Sequence, residues 1–369
     1  MTGFPPLTPG DGEHLERAAR LARRGWGGVH PNPLVGCVLV RDGEVVGEGW
    51  HEEFGGPHAE IRALERAGAR AEDATAYVSL EPCRHEGKTP ACTGALLASG
   101  IGRVVYGAAD PGAESGGGGA ALAEAGVDVS GPHFDTRRAW SENPAFHDWV
   151  GAGRTHVSLK LALSLDGGIA AAPGERTALT GPEARAEVHR LRSGFQGILV
   201  GAETVRIDDP LLTVRDAPRR RPAPVRVVLD PELTVGPDAA LFRDAAVAPV
   251  WFFCREDAPE ARMEELEAAG GRVHPVPQAP GGRGVDLATV LERCGAMGVQ
   301  SLLCEGGGRL AAAFLRAGLT RRLYALVAPC VLGPDAVPGF PGLGPVRWRA
   351  AREPLALGDD VLLTLDRDA

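Results

Sequence analysis

Pro57-His58-Ala59-Glu60 and, beyond one short apolar run, Pro82-Cys83-Arg84-His85-Glu86-Gly87-Lys88-Thr89-Pro90-Ala91-Cys92 decide how this chain is read. His58 follows the Gly55-Gly56-Pro57 break and opens a helix over 58–67. Residues 76–80 are apolar and read as a short buried strand. Cys83 comes twenty-three residues after Glu60 and opens a polar loop that ends at Cys92. One imidazole and two thiolates, His58, Cys83 and Cys92, make a three-ligand zinc site with its fourth position open to water, as a catalytic zinc needs. Zinc lowers the pKa of its water. Glu60, two residues past the histidine, is placed to move that water's proton. A helix-starting histidine with two unrelated buried thiols is the bland alternative; the Pro-Cys at this distance favours the metal.

Outward from that core, residues 1–150 alternate strand and helix patterns. A helix is expected over 13–24, strands over 35–40 and 45–49 about the turn Arg41-Asp42-Gly43-Glu44, and strands over 103–107 and 127–129 with helices between. Such alternation implies a largely parallel sheet with helices on its faces. Residues 140–154 read as a link, after which the pattern restarts. Strands are expected over 156–161, 197–201, 225–229, 250–254, 301–304, 322–328 and 361–366, and helices over 181–192, 258–269, 287–297 and 311–317.

The chain has 369 residues, which fits two domains. Net charge is −9; residues 1–150 hold 13 basic and 21 acidic side chains, and residues 151–369 hold 26 and 27. An acidic first half argues against a nucleic-acid binder. No apolar run approaches a membrane span, and no secretory signal is visible. Seven cysteines, an odd number, with no export signal point to a reducing cytoplasm. Only two of the 39 basic residues are lysines, Lys88 and Lys160. Lys88 sits inside the cysteine loop, and Arg219-Arg220-Arg221 reads as a solvated loop.

In the second half, residues 305–310 form a strand, a Gly turn and a helix start, where backbone amides can approach a pyrophosphate. The pattern is not GxGxxG, so a standard dinucleotide fingerprint is not read here.

The first-half motif keeps the H-x-E…P-C opening of the zinc deaminases but separates its cysteines by eight residues instead of two. The cysteine loop, His30-Pro31-Asn32-Pro33, Gly49-Trp50-His51 and Pro57-His58-Ala59-Glu60 together resemble the bifunctional riboflavin-biosynthesis deaminase/reductase family. So do Ser158-Leu159-Lys160, Ser164-Leu165-Asp166-Gly167, Thr180-Gly181-Pro182-Glu183, His189-Arg190-Leu191-Arg192, Gly201-Ala202-Glu203-Thr204, Asp208-Asp209-Pro210-Leu211-Leu212-Thr213-Val214-Arg215 and Glu305-Gly306-Gly307-Gly308.

The resemblance implies a cytidine-deaminase-like three-layer α/β/α domain over 1–152 and a dihydrofolate-reductase-like α/β domain over 153–369. It implies hydrolytic deamination of 2,5-diamino-6-ribosylamino-4(3H)-pyrimidinone 5′-phosphate, then reduction of its ribosyl group to ribityl. The cofactors would be Zn2+ and NADPH. His58, Cys83 and Cys92 would bind zinc, with Glu60 as the proton shuttle. Asn32, His51, His85 and Lys88 would contact the deaminase substrate. Lys160 would be catalytic in the reductase. Ala162, Thr204, Asp208, Gly306, Gly307 and Gly308 would bind NADPH, and Arg192, Leu212, Arg215 and Glu305 the reductase substrate. A homo-oligomer is expected, with no nucleic-acid or membrane partner. Gly112, Gly168 and Ala178 depart from the family pattern, which usually places an amide, a basic residue and an aromatic ring there. A nucleotide or nucleic-acid base deaminase, and a zinc-stabilised binding protein with an inactive second domain, remain alternatives at this point.

Overall fold

The computed structural model describes residues 7–85, 91–215, 217 and 222–367. The chain divides into two compact units, Met1–Gly153 and Arg154–Ala369.

Unit 1 is built on five strands: β1 Gly36–Arg41, β2 Glu44–Trp50, β3 Thr75–Leu80, β4 Arg103–Ala108 and β5 Asp128–Ser130, in the order β2-β1-β3-β4-β5. Its helices are α1 Pro9–Ala22, α2 Ala59–Ala67, α3 Cys92–Ala98, α4 Gly118–Glu124, α5 Thr136–Glu142 and the single turn α6 Pro144–Phe146. Alternate strand residues face opposite sides. Val38 and Val40 pack under α1 with Ala18 and Leu21, while Cys37 and Leu39 pack against Ala59 and Ala63 of α2 and Leu96 of α3. The result is three layers.

The sheet is less parallel than the helix–strand alternation implies. β1 runs antiparallel to both β2 and β3, and only β3, β4 and β5 are mutually parallel. The cause is local: Asp42 and Gly43 both adopt positive φ, 53° and 80°, and a two-residue turn of that hand joins only antiparallel strands.

Two differences from the sequence expectation in unit 1 exceed two residues. α1 begins four residues earlier than the apolar period suggests, because Thr8 and Asp11 form a reciprocal capping box. The expected link at 140–154 is instead largely helical and packed into unit 1. Asp135 caps α5, Trp140 is buried and donates to Asp148, and Asn143 exchanges two hydrogen bonds with the Leu34 backbone.

Unit 2 contains a ten-stranded sheet. Its strands are β6 His156–Leu163, β8 Gly197–Gly201, β9 Val225–Leu229, β10 Val250–Arg255, β11 Gly271–Val276, β12 Ser301–Cys304, β13 Arg322–Val327, β15 Arg349–Ala350, β16 Leu355–Leu357 and β17 Asp360–Asp366; β7 Gly168–Ala170 pairs separately with β14 Val337–Pro338. The order β11-β10-β9-β8-β12-β6-β13 is parallel throughout, and β17 closes antiparallel to β13. The helices are α7 Pro182–Ser193, α8 Ala202–Asp208, α9 Glu260–Ala268, α10 Leu287–Ala296 and α11 Gly308–Arg316. Leu159, Val227, Phe253 and Leu302 form a core with Val290 of α10 and Phe314 of α11 on one face. Ile198, Val228 and Phe252 form another with Val205 of α8 and Leu266 of α9. Arg272, His274 and Pro275 hide β11 from a periodicity search; as an edge strand it tolerates a proline, whose missing N–H has no ladder to break. Among the described residues, no helix is long and apolar enough to cross a membrane.

Two candidate active sites

In unit 1 the strand-to-helix packing sets the site. Side-chain carbons at Gly47 and Gly49 of β2 would lie 2.3 and 2.2 Å from the carbonyl oxygens of Ala63 and Ala59, so glycine alone lets α2 approach this closely. That seats His58, the N-cap of α2, opposite Cys92, the first residue of α3. His58 Nδ1 lies 3.2 Å from Cys92 Sγ and 3.5 Å from Cys83 Sγ, and all three donor atoms fall within 4.8 Å of one another. Tetrahedral zinc with bonds of about 2.0–2.3 Å has donor–donor edges of roughly 3.5 Å, so the donor set fits the metal.

A cavity of about 350 Å³ opens beside these donors. Glu60 lines it and is only 3% exposed; burial pushes its carboxyl up, with the His58 charge opposing. The Cys83 thiol is drawn down, first by the Cys92 thiol and then, against burial, by His58, whereas Cys92 is pushed up by Cys83 and by burial.

Asn32, His51 and His85 also line the cavity. His51 is buried, its Nδ1 lies 3.1 Å from the Pro57 carbonyl, and its Nε2 lies 3.1 Å from the Asn32 amide nitrogen. A proton on Nδ1 satisfies both contacts. His51 therefore aims Asn32 as much as it faces the cavity. His85 is half-exposed, 4.0 Å from Glu114. Lys88 lies outside the described residues.

Glu81, Asp110 and Phe146 also line the cavity and were not singled out from the sequence. The Glu-Pro-Cys order was the available signal for Glu81. At Gly112, a departure from the family pattern, a side-chain carbon would meet Ser115 Oγ at 2.2 Å, so an amide there requires Ser115 to move.

In unit 2, Lys160 of β6, Glu305 just past β12 and Arg192 near the end of α7 converge. Glu305 accepts from Arg192 Nε at 2.6 Å and Nη2 at 3.0 Å, and lies 3.9 Å from Lys160 Nζ. Burial pushes the Glu305 carboxyl up, but Arg192 and Lys160 outweigh it and hold it down. Burial lowers the Lys160 ammonium's pKa against the pull of Glu305. Arg192 also donates to the Thr213 carbonyl, and Arg215 donates to the Thr213 hydroxyl, so 213–215 joins the cluster. Leu212 adopts φ 50° with its side chain in the core, which leaves only its backbone to face a substrate.

Thr204 and Asp208 lie one turn apart on α8, where Asp208 is 3.9 Å from Arg176 and in the field of Lys160. Ala162 lies next but one to Lys160 on β6. Gly306, Gly307 and Gly308 have separate reasons to be small. A side-chain carbon at Gly306 would collide with Leu310, and one at Gly308 with the Pro338 and Gly339 carbonyls at 2.5 and 2.6 Å. One at Gly307 would meet nothing nearer than Ile169 at 3.8 Å. Open space therefore faces the N-terminus of the nine-residue helix α11, an arrangement that fits a phosphate of a dinucleotide. Asp166 caps a turn: it accepts from Ser164 Oγ and from the Leu332 and Gly333 amides. At Gly168 a side-chain carbon would press on Ala336, Leu332 and Ser164 at 2.9 to 3.1 Å, so the larger basic residue usual in the family has no room in this packing.

Residues 10–108 match the cytidine and deoxycytidylate deaminase zinc-binding region, and residues 155–363 match the RibD C-terminal domain. The Escherichia coli riboflavin biosynthesis protein RibD is 38% identical, over 96% of this chain and 99% of its own. The Acinetobacter baumannii RibD structure superposes with a TM-score of 0.80 at 32% identity, covering 98% and 99% of the two chains. The Thermotoga maritima diaminohydroxyphosphoribosylaminopyrimidine deaminase/5-amino-6-(5-phosphoribosylamino)uracil reductase gives 0.77 at 30% identity, covering 97% and 99%. With a zinc-type donor set in one unit, a buried lysine–glutamate–arginine cluster in the other and relatives matched end to end, the chain belongs to the RibD family, the bifunctional deaminase/reductases of riboflavin biosynthesis.

Proposed function

We propose that unit 1 deaminates 2,5-diamino-6-ribosylamino-4(3H)-pyrimidinone 5′-phosphate and that unit 2 then reduces the ribosyl group to ribityl with NADPH. The observation that carries the reading is the His58, Cys83 and Cys92 donor set beside buried Glu60 in one cavity.

When bound, zinc supplies a Lewis acid that makes water acidic enough to act as a nucleophile near neutral pH. Glu60 takes a proton from that water and returns it to the departing amine, a task suited to a carboxyl raised by burial. Asn32, held by His51, orients the pyrimidine through its amide. His85 and Lys88 hold the ribose phosphate, which needs local cations in an acidic unit.

In unit 2, NADPH when bound supplies the hydride. The substrate would be the ring-opened sugar, whose carbon–nitrogen double bond would need a hydride at carbon and a proton at nitrogen. Lys160, with its lowered pKa, gives the proton, and Glu305 fixes Lys160 and Arg192 in place. Arg192 and Arg215 take the phosphate, and Thr204, Asp208 and the α11 N-terminus take the dinucleotide.

Ammonia release and NADPH oxidation, measured separately on the pyrimidine substrate, test this reading. Both are expected; a zinc chelator should stop ammonia release yet leave NADPH oxidation intact when the deaminated pyrimidine is supplied directly. Deamination without NADPH consumption by its product would sink the two-step assignment.

A further inference from the structure

We propose that Glu81 is a positioning residue of the deaminase that sets the gap between the two lips of the substrate cavity; the assignment rests on the deaminase reading of unit 1. One lip is the segment 81–85, which carries Cys83 and His85. The other is the loop between β4 and α4, which carries Asp110 and Ser115. All four of these residues line the cavity.

Glu81 joins the lips by three backbone links. Its carboxylate, only 8% exposed as a residue, accepts from the Gly119 amide at 2.9 Å through one oxygen and from the Asp110 amide at 3.2 Å through the other. Its own amide donates to the Ala108 carbonyl at 2.8 Å. The seam continues beyond it. The Arg84 amide donates to the Ser115 carbonyl at 3.2 Å, and a side-chain carbon at Gly118 would lie 1.8 Å from the Pro82 carbonyl oxygen.

A carboxylate is the group this place requires, because only two acceptor oxygens satisfy two facing N–H donors. Such charge-assisted bonds are the stronger kind, and leaving a buried partner unmet carries its full desolvation penalty. Glutamine keeps one oxygen and turns a donor NH2 toward the other amide. Glu81 hydrogen-bonds neither the zinc donors nor Glu60 in this arrangement, so it acts on the reaction through the Asp110 and Cys83 backbones.

The test compares Glu81→Gln, Glu81→Asp and Gly118→Ala with the native chain, all as full-length zinc-loaded protein. Ammonia release gives kcat and KM on the pyrimidine substrate. Reductase rate, zinc content and the unfolding midpoint are read on the same samples. Glu81→Gln is expected to raise KM about tenfold or more, as one charge-assisted hydrogen bond is lost, with kcat within about threefold. Glu81→Asp should fall between it and the native chain, and Gly118→Ala, which pushes the same seam from its other side, should raise KM likewise. Zinc content and reductase rate should hold. Where Glu81→Gln does not fold, the KM-to-kcat split of the other two variants decides. An unchanged KM in every folded variant, or a kcat loss of about a hundredfold at fixed KM, overturns the proposal. A native chain that releases no ammonia would instead overturn the deaminase reading itself.

Discussion

The two units place their reactive groups by different means. In unit 1, three donor atoms from two helix N-termini and one loop gather within 4.8 Å, and the Glu60 carboxyl lines the cavity beside them. In unit 2, no such cluster of metal donors exists among the described residues; a lysine, a glutamate and an arginine from a strand, a strand end and a helix hold one another by charge. A metal site tolerates an ordinary surrounding, because its ion supplies the chemistry once the donors are met. An ion-pair cluster must make its own reactivity from burial and neighbours, so each member depends on the others.

The sharpest break of this contrast is Glu60→Gln. It leaves the donor set intact and removes the proton carrier, so ammonia release should fall about 10³-fold. Zinc content should stay at the native value, and so should NADPH oxidation when the deaminated pyrimidine is supplied directly. Full deaminase activity with zinc retained would show that some other group moves the proton.

A smaller effect is expected from Lys160→Arg, about 10²-fold in NADPH oxidation, because a guanidinium beside Glu305 does not give up its proton. Lys88→Arg should cost the deaminase no more than about threefold, since either cation holds a phosphate. Each assay serves as the other's folding control. Equal tolerance of both changes would mean that the chain's two lysines reflect no chemical requirement.

The same contrast explains what the sequence made legible. The clustered donor set was readable because metal ligation demands particular residue types at nearly fixed spacing, and His58, Cys83 and Cys92 announce themselves within 35 residues. Lys160, Arg192 and Glu305 span 146 residues and are common residue types, so family resemblance alone picked them out. Glu81 escaped notice because its partners are backbone amides, which leave no trace in sequence. The helical 136–151 segment was missed for a related reason: Asn143 anchors it to the Leu34 backbone, a tertiary contact outside any local period. The antiparallel β1 was implicit in Asp42-Gly43, whose turn chemistry outweighs the general rule for alternating helices and strands.

Charge in unit 1 serves the scaffold, and Asp11 tests that side of the comparison with the smallest effect. Its buried carboxylate caps α1 and accepts from Tyr77 Oη at 2.7 Å and from Arg103 at 2.9 Å. Burial alone would raise its pKa, but the bonds from Tyr77, Thr8 and Arg103 together bring it from 3.8 to about 2. A group depressed in the folded state stabilises it fully above the unfolded pKa and loses that contribution as pH falls through the folded one. The window is therefore from about pH 4 down to about pH 2. Asp11→Asn should lower the stability of unit 1 by about 2 kcal/mol at neutral pH, read by guanidinium unfolding. The deficit should shrink as pH drops below about 4, because the unfolded chain's carboxylate then takes up a proton that the folded one does not accept until about pH 2. Asp11 does not line the cavity, so ammonia release by the folded variant should match the native rate. A deficit that held constant down to pH 2.5 would assign the loss to the changed cap geometry instead of to the charge.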